Sequence, residues 1–368
     1  MNIKKIYFAL CIVGVNVLAS EYETEKVALV WGMGQDGKYL SKLLLDKEYK
    51  VYGIGKSADQ KDFRQNVYDF LGIEEDSRCF KLFQGDISDS NCVFNKLSKI
   101  RPTQIYNLAA QSSIPESFKN PDQTYQTNFE GTLNILETMQ SLDLWHIKFV
   151  QAASIEIFTG TKADCYDENS LLSACSPYGT SKLLAYKMLQ RYRKRYGTNA
   201  GNAILCNHES PERPEGFITQ KVAKAVAEIF LGKRDNFSVG NIHAQRDWGH
   251  ARDYVKAMKK MADQAKMDDY IIATGKVHSV KDLIESAFSH TGRTIVWSGE
   301  GIDEKGCDSK TGHVLVTINP EFYRPNEAQV TTGNTKKIYE KLYWQPETTF
   351  DELVKEMVET QIKKLQTK

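Results

Sequence analysis

The chain has no Cys-x-x-Cys pair among its seven scattered cysteines. Zinc sites and disulfide scaffolds are read from such spacings, so no metal and no disulfide framework is expected, and the thiols read as reduced. Net charge is nearly absent: 48 Lys+Arg against 47 Asp+Glu leave +1. Nothing in that balance points to nucleic acid or an anionic membrane surface. No apolar run reaches the roughly 20 residues of a stable membrane span. Internal repeats and low-complexity tracts are lacking too, and proline is scarce, at nine residues in 368. What remains, 41% hydrophobic and 26% charged, suits a globular protein with a sizeable core in one large or two modest domains.

The first twenty residues differ from the rest. "MNIKK" is basic, "IYFALCIVGVNVL" is apolar, and "AS" closes the segment in small residues. That order is the order of a secretory signal, in a run too short to span a membrane. An extra N-terminal strand or a simple leader reads the same way.

Three glycines crowd one short stretch. "VALVWGMGQDGKYL" puts Gly32, Gly34 and Gly37 directly after a short apolar, β-prone run. The spacing Gly-x-Gly-x-x-Gly is that of a dinucleotide-binding turn. One glycine allows the turn, one lets the backbone approach a pyrophosphate, and one lets helix and strand pack closely. The phosphates would sit on free N–H groups at the helix N-terminus. A tight strand-to-helix turn with no ligand would look similar. The surroundings favour the first reading: helical spacing of Tyr39, Leu43 and Leu44 follows, and then a second strand at 51–54.

The alternation continues to about residue 205. Strands are expected at 27–30, 51–54, 80–84, 104–108, 147–151 and 203–206. Helices are expected from the glycine turn to about 46, after polar residues beyond the second strand, then at 91–100, 122–142 and 177–196. The βαβ order predicts an α/β fold, a Rossmann-type doubly wound parallel sheet. After residue 207 prolines and charges cluster in "NHESPERPEG", segments shorten, and a final amphipathic helix is expected from about residue 350. This part reads as a smaller C-terminal substrate-binding lobe.

"SPYGTSKLLAYKM" carries the strongest chemical signal. Tyr178 and Lys182 lie four apart on a helix, hence on one face. An ammonium beside a phenol favours the phenolate. Such a tyrosine takes a proton from an alcohol as hydride leaves the same carbon. In "FVQAASIEIF", Ser154 and Glu156 follow a strand that points at the same crevice. Ser154 would bond the reacting hydroxyl. Glu156, flanked by Ile155 and Ile157, would be partly desolvated and able to act as base and acid.

The glycine turn, "GD" at Gly85 and Asp86, "NLAAQS" from Asn107 to Ser112, "NFEGTLNILE" from Asn128 and the Tyr178/Lys182 pair together resemble an extended short-chain dehydrogenase/reductase. "GQDG", "NHESP", "RDWGHARDY", "IATGKVHSV", "TIVW" and "YRPNE" resemble GDP-mannose 4,6-dehydratases, from about residue 27 to the C-terminus. The resemblance implies catalytic Ser154, Glu156, Tyr178 and Lys182. It implies a cofactor held by Gly32, Gly34, Gly37, Lys56, Asp86, Ala109, Tyr178, Lys182 and His208. It implies a nucleotide sugar, GDP-mannose, held by Ser112, Asn207, Lys221, Arg246, Arg324 and Glu327. Guanidinium forks suit a diphosphate, which supports the two arginines independently.

The chain departs from that pattern in places. The family's turn is Gly-x-x-Gly-x-x-Gly with threonine before it; here one residue fewer separates the first two glycines and Trp31 stands at the entry. Ser154 replaces threonine, Ile155 replaces serine, and Glu212 stands where the family has a basic residue. The family's arginine-rich loop after the second strand reads "GIGKSADQKDFRQN". Lys56 there can hold a phosphate, and no carboxylate directly ends the strand as NAD selection would want, so NADP is the expected cofactor.

The expected division is a leader at 1–20, an NADP-binding Rossmann domain at 26–206 and a nucleotide-sugar lobe at 207–368, interleaved with the first. The expected protein is a homo-oligomer, dimer or tetramer, in the cytoplasm, with secretory entry as the alternative if residues 1–20 act as a signal. The expected reaction is dehydration of GDP-mannose to GDP-4-keto-6-deoxymannose. A GDP-sugar epimerase or reductase on the same fold needs the Tyr/Lys pair but no base at C5. A non-catalytic nucleotide-binding homologue has no use for all four catalytic groups.

Overall fold

The computed structural model describes residues 25–161, 163–322 and 330–367. The segment 1–20, Arg324 and Glu327 lie outside the described residues. The first half alternates strand and helix: β1 (Val27–Trp31), α1 (Gln35–Leu45), β2 (Lys50–Gly55), α2 (Lys61–Leu71), β3 (Phe80–Gln84), α3 (Ser90–Ile100), β4 (Gln104–Asn107), α4 (Ile114–Lys119), α5 (Pro121–Tyr125), α6 (Gly131–Ser141), β5 (Lys148–Ser154), α7 (Pro177–Tyr196) and β6 (Ala200–Leu205). The second half is more broken: β7 (Asn207–Glu209), α8 (Ile218–Phe230), β8 (Phe237–Val239), β9 (Gln245–Arg246), β10 (Trp248–His250), α9 (Ala251–Ala262), β11 (Tyr270–Ile272), β12 (His278–Ser279), α10 (Val280–Ser289), β13 (Ile295–Ser298), β14 (Lys305–Asp308), β15 (Val314–Ile318), β16 (Val330–Thr331), α11 (Lys336–Leu342) and α12 (Phe350–Gln366).

Seven strands form one sheet in the order β11-β6-β5-β4-β1-β2-β3, and every pairing in it is parallel. A parallel sheet must be covered on both faces, which is why β1 reads as an unbroken apolar run and is buried throughout. One core lies between the sheet and α1, α2, α9 and α11, with Leu40, Leu44, Val67, Met258 and Ile338 in it. The opposite core takes Val93 and Leu97 of α3, Ile135 and Met139 of α6 and Leu189 of α7. A separate core joins α8, α10 and α12 to the sheet β13-β14-β15-β8. Strand β11 belongs to the first sheet although it lies at 270–272, so chain order and spatial grouping interleave. No helix among the described residues is long and apolar enough to cross a membrane.

Local chemistry sets the helix ends. Asp89 accepts the N–H groups of Asn91 and Cys92 to start α3. Ser176 accepts the Gly179 N–H at 3.0 Å to start α7, Pro177 fills the first position, and Gly197 ends it in a left-handed conformation at φ 70°. Thr349 and Glu352 form a reciprocal cap on α12.

Three elements differ from the sequence pattern. The helix expected at 122–142 is two helices joined by a π-helical turn at Gln126–Glu130. Within that turn the Asn128 side chain accepts the Gln111 N–H at 2.9 Å and donates to the Gln111 carbonyl at 3.0 Å and to Ser181 Oγ at 2.9 Å. The widened turn thereby fixes the loop that carries Ser112. Strand β5 runs on to Ser154 rather than stopping at 151. Strand β6 starts at Ala200, through Gly201 and Asn202, two poor strand formers. A side chain at 201 would meet the Asp268 carbonyl at 2.3 Å. Asn202 donates through backbone and side chain to Asp269, itself held by both Nη atoms of Arg193 at 2.8 Å.

Candidate active site

A cavity of about 1040 Å³ opens at the C-terminal ends of the parallel strands. It lies where successive strands depart in opposite directions, β4 on one side of β1 and β2 on the other, the position ligands take in open α/β sheets. Gly32, Gly34, Gly37, Lys56, Asp86, Ala109, Ser112, Ser154, Glu156, Tyr178, Lys182, Asn207, His208, Lys221 and Arg246 all line it. Residues from nine segments of the chain, named from sequence pattern and from the family resemblance, meet in one place.

The three glycines serve three different needs. Gly32 has φ +99°, and a Cβ there would lie 2.5 Å from the Ala109 nitrogen. A Cβ on Gly37 would lie 2.1 Å from the Gly32 carbonyl oxygen. At Gly34 a Cβ would meet nothing within 4 Å. Two glycines therefore close the turn, and the third leaves open space above the helix start. Trp31, at the entry, is buried beside Leu29 and Ile54.

Lys56 follows β2 and is largely exposed, but its ammonium sits 2.8 Å from Asp86 Oδ2. Asp86 also accepts the Ser88 N–H at 3.0 Å and its hydroxyl at 2.7 Å. Burial works against the Asp86 charge, yet Lys56 and Ser88 outweigh it and hold the carboxyl below its ordinary value.

Ser154, at the end of β5, accepts the Glu156 N–H at 3.3 Å. Glu156 stands in the 3-10 turn Ile155–Ile157, half-buried, with Oε2 accepting from the Thr159 hydroxyl at 3.1 Å. Tyr178 is nearly enclosed. Burial pushes its phenol up to about 12, against a hydrogen bond with Ser154. Lys182 donates to the Ala152 carbonyl at 2.8 Å, and burial brings it down to about 8. The pairing expected from the spacing is thus present on one helix face, but without the expected lowering of the phenol. The ammonium is spent on a backbone oxygen, and desolvation dominates the tyrosine.

On the other wall, Arg213 lies 3.5 Å above the Phe217 ring and 3.1 Å from Glu209. Lys221 sits 4.0 Å over the Phe322 ring, and burial lowers it. Arg246 donates to the Gln245 carbonyl at 2.7 Å. Glu212 does not line the cavity: it pairs with the buried Lys38 of α1, with Lys364 of α12 at 3.7 Å. The acidic residue is neutralised from behind the site.

Sequence reasoning assigned nothing to Asp36, Gln111, Thr159 and Phe217. Asp36, Gln111 and Phe217 line the cavity, and Thr159 holds Glu156. Asp36 had one available signal, a carboxylate in the first helical turn between the second and third glycines. Thr159 reaches Glu156 from three residues on, while Gln111 and Phe217 join the wall from distant segments. Among the described residues no cluster of histidine, cysteine and carboxylate side chains could hold a metal ion.

Fold and site together define an extended short-chain dehydrogenase/reductase acting on a small molecule in the crevice of a parallel sheet. The chain belongs to the GDP-mannose 4,6-dehydratase family, whose model matches residues 29–357. It is 40% identical over 347 residues to the GDP-mannose 4,6-dehydratase of Cricetulus griseus, covering 93% of each chain. The Homo sapiens protein of that name is 40% identical over 346 residues, covering 93% of this chain and 92% of the relative. That of Sinorhizobium fredii is 41% identical over 335 residues, covering 90% of this chain and 95% of the relative. Membership carries the family's function, GDP-mannose 4,6-dehydration. Among solved structures, a UDP-glucose 4-epimerase from Thermotoga maritima with UDP-glucose superposes with TM-score 0.76 at 22% identity, covering 92% of this chain and 99% of that one. A dTDP-glucose 4,6-dehydratase from Bacillus anthracis with NAD superposes with TM-score 0.72 at 19% identity, covering 92% and 97%. At these identities the likeness speaks to the fold.

Proposed function

We propose that the protein is an NADP-dependent hydro-lyase that converts GDP-mannose to GDP-4-keto-6-deoxymannose and water. One observation carries the reading. A hydroxyl, a carboxylate, a phenol and an ammonium, from Ser154, Glu156, Tyr178 and Lys182, converge on a cavity whose other end is a glycine turn.

The residues present fit a dinucleotide. Gly34 leaves room where a pyrophosphate would approach the start of α1, and the buried Asp36 Oδ1, an acceptor with no hydrogen-bond partner in the protein, suits a hydroxyl of the dinucleotide. When bound, an oxidised nicotinamide would supply the hydride acceptor, the later hydride donor, and a positive charge beside the phenol. Gly32, Gly34 and Gly37 would hold it at the turn, Lys56, Asp86 and Ala109 along the strand ends, and Tyr178, Lys182 and His208 at its reactive end. GDP-mannose would lie along Ser112, Asn207, Lys221 and Arg246. The family pattern adds Arg324 and Glu327.

Tyr178 takes the proton of the C4 hydroxyl, with Ser154 bonded to the same oxygen. The ketone so formed acidifies C5–H. Glu156 takes that proton and hands it to the departing C6 hydroxyl, which leaves as water. Of the two protons taken, one leaves in the water and one returns to C5, so product and substrate differ by water alone. Purified protein incubated with GDP-mannose should yield a product lighter by one water, read by mass spectrometry. Unchanged GDP-mannose would refute the substrate, and an isomer of equal mass would favour an epimerase.

The NADP preference rests on Lys56 and on the missing carboxylate after β2. A charge-assisted contact to a 2′-phosphate is worth about 1.5–3 kcal/mol, or roughly 10- to 150-fold. Lys56→Ala should therefore weaken NADPH binding by about that factor and leave NADH within a few-fold, in a fluorescence titration. Equal losses for both would show that Lys56 only braces Asp86.

A further inference from the structure

His208 and Asp36 lie in the wall of this cavity, on β7 and in the first turn of α1. His208 Nδ1 is 2.8 Å from the Cys206 carbonyl oxygen, and Nε2 is 2.9 Å from Asp36 Oδ2. A carbonyl oxygen can only accept, so Nδ1 carries a hydrogen. In a neutral ring Nε2 would then turn a lone pair toward a carboxylate oxygen. Both contacts are satisfied only when a second proton lies between Nε2 and Oδ2. His250 shows the contrast. Its Nδ1 accepts the Arg252 N–H at 2.9 Å and its Nε2 faces Glu356 at 3.2 Å, so one neutral tautomer serves both contacts.

The surroundings agree with that count of hydrogens. Burial works against a charged His208, and so does Arg213, but the charge and hydrogen bond of Asp36 and the Cys206 carbonyl outweigh them and hold the ring above its ordinary value. The Tyr254 ring stacks on His208 at 4.8 Å, with its phenol kept neutral by burial. The buried Cys206 thiol is likewise pushed up. On the Asp36 side stand Lys182, whose charge it favours, and the phenol of Tyr178.

We propose that Asp36 is a positioning residue that keeps His208 as an imidazolium, and that this shared proton makes dinucleotide binding depend on pH. With the proton the pair is a neutral dipole. Without it the pair carries a net negative charge at the start of α1, beside the space left at Gly34. A phosphate entering there meets repulsion. The inference deepens the cofactor reading above and rests on it for its consequence, though the shared proton does not.

The sign follows directly. His208 loses its proton as pH rises through a value above its ordinary one, held there by Asp36, so affinity for an anionic dinucleotide falls with rising pH. If phosphate binding and the proton couple by one pK unit, the loss is about tenfold. The test uses ligand-free protein labelled with 15N-histidine, with His208 assigned as the signals absent from His208→Gln. The seven histidines keep the spectrum tractable. At pH 7 the His208 ring should show two protonated nitrogens, and its midpoint should fall by at least about one unit in Asp36→Asn. The asparagine amide can donate to Nε2, so that variant keeps both contacts with a neutral ring and should fold. A neutral ring in the wild type, or an unmoved midpoint in the variant, overturns the shared proton. NADPH titrations should weaken about tenfold across the wild-type midpoint and stay flat in Asp36→Asn over the same range. A flat wild-type profile overturns the role in binding. Absence of NADPH binding at every pH overturns the cofactor reading instead, while the spectrum still decides the proton.

Discussion

Tyr178→Phe should fold like the wild type and lose turnover by about 10²- to 10⁴-fold, the usual contribution of a positioned acid–base group. The ring stays, and so does its packing at the start of α7. Ser154 still accepts the Glu156 N–H, and its own hydroxyl, which loses the phenol oxygen, faces the open cavity and can turn to water. What goes is the phenol hydrogen-bonded to Ser154, at the position where an alcohol proton would be taken. Burial holds that phenol near 12 in the free protein, so the free enzyme stores it protonated and a cation must arrive before it can act as a base. Circular dichroism would check the fold, and water loss from GDP-mannose would check the rate. A variant that keeps more than about a tenth of the wild-type rate would show that another group deprotonates C4–OH.

Glu156→Gln should split the reaction. Oxidation at C4 relies on Tyr178, Ser154 and Lys182, which the substitution leaves in place, and losing the Glu156 charge removes one of the influences that raise the Tyr178 phenol. Elimination relies on a carboxylate that accepts the C5 proton, and an amide cannot. The glutamine carbonyl still accepts from the Thr159 hydroxyl, as Oε2 does at 3.1 Å, so the 3-10 turn keeps that brace. Dehydration should slow by about 10²-fold or more. Absorbance of reduced nicotinamide should still appear when GDP-mannose is added to the cofactor-loaded variant. Dehydration at the wild-type rate would make Glu156 a structural carboxylate and favour a reductase or epimerase. If neither protein shows reduced nicotinamide, GDP-mannose is not the substrate.

The sequence by itself determined the elements whose causes are local. The run 27–31 is apolar because both faces of a parallel strand are buried. Ser176, Pro177 and Gly197 bound α7 to the residue because capping is settled within a few positions. The glycine spacing at 32, 34 and 37 announced the turn for the same reason, since a backbone that must turn and leave room excludes a Cβ wherever the space is filled or φ is positive. The Tyr178/Lys182 face followed from helical periodicity alone.

Only the tertiary structure decided matters that depend on what arrives from elsewhere in the chain. Strand β6 runs through Gly201 and Asn202 because Asp268 and Asp269, nearly seventy residues on, leave no room for a side chain and supply the bonds. The π-helical turn at 126–130 holds Asn128 against Gln111 and Ser181, which no local propensity encodes. Spacing placed Lys182 beside Tyr178, but the Ala152 carbonyl took the ammonium and burial set the phenol. Glu212, an acidic residue at a basic position of the family, is matched by Lys38, 174 residues earlier. The hydrogen between His208 and Asp36 follows the same rule. A protonation state is fixed by the partners at both ends of a ring, and here those partners are Cys206, between β6 and β7, and Asp36, within the glycine turn at the start of α1.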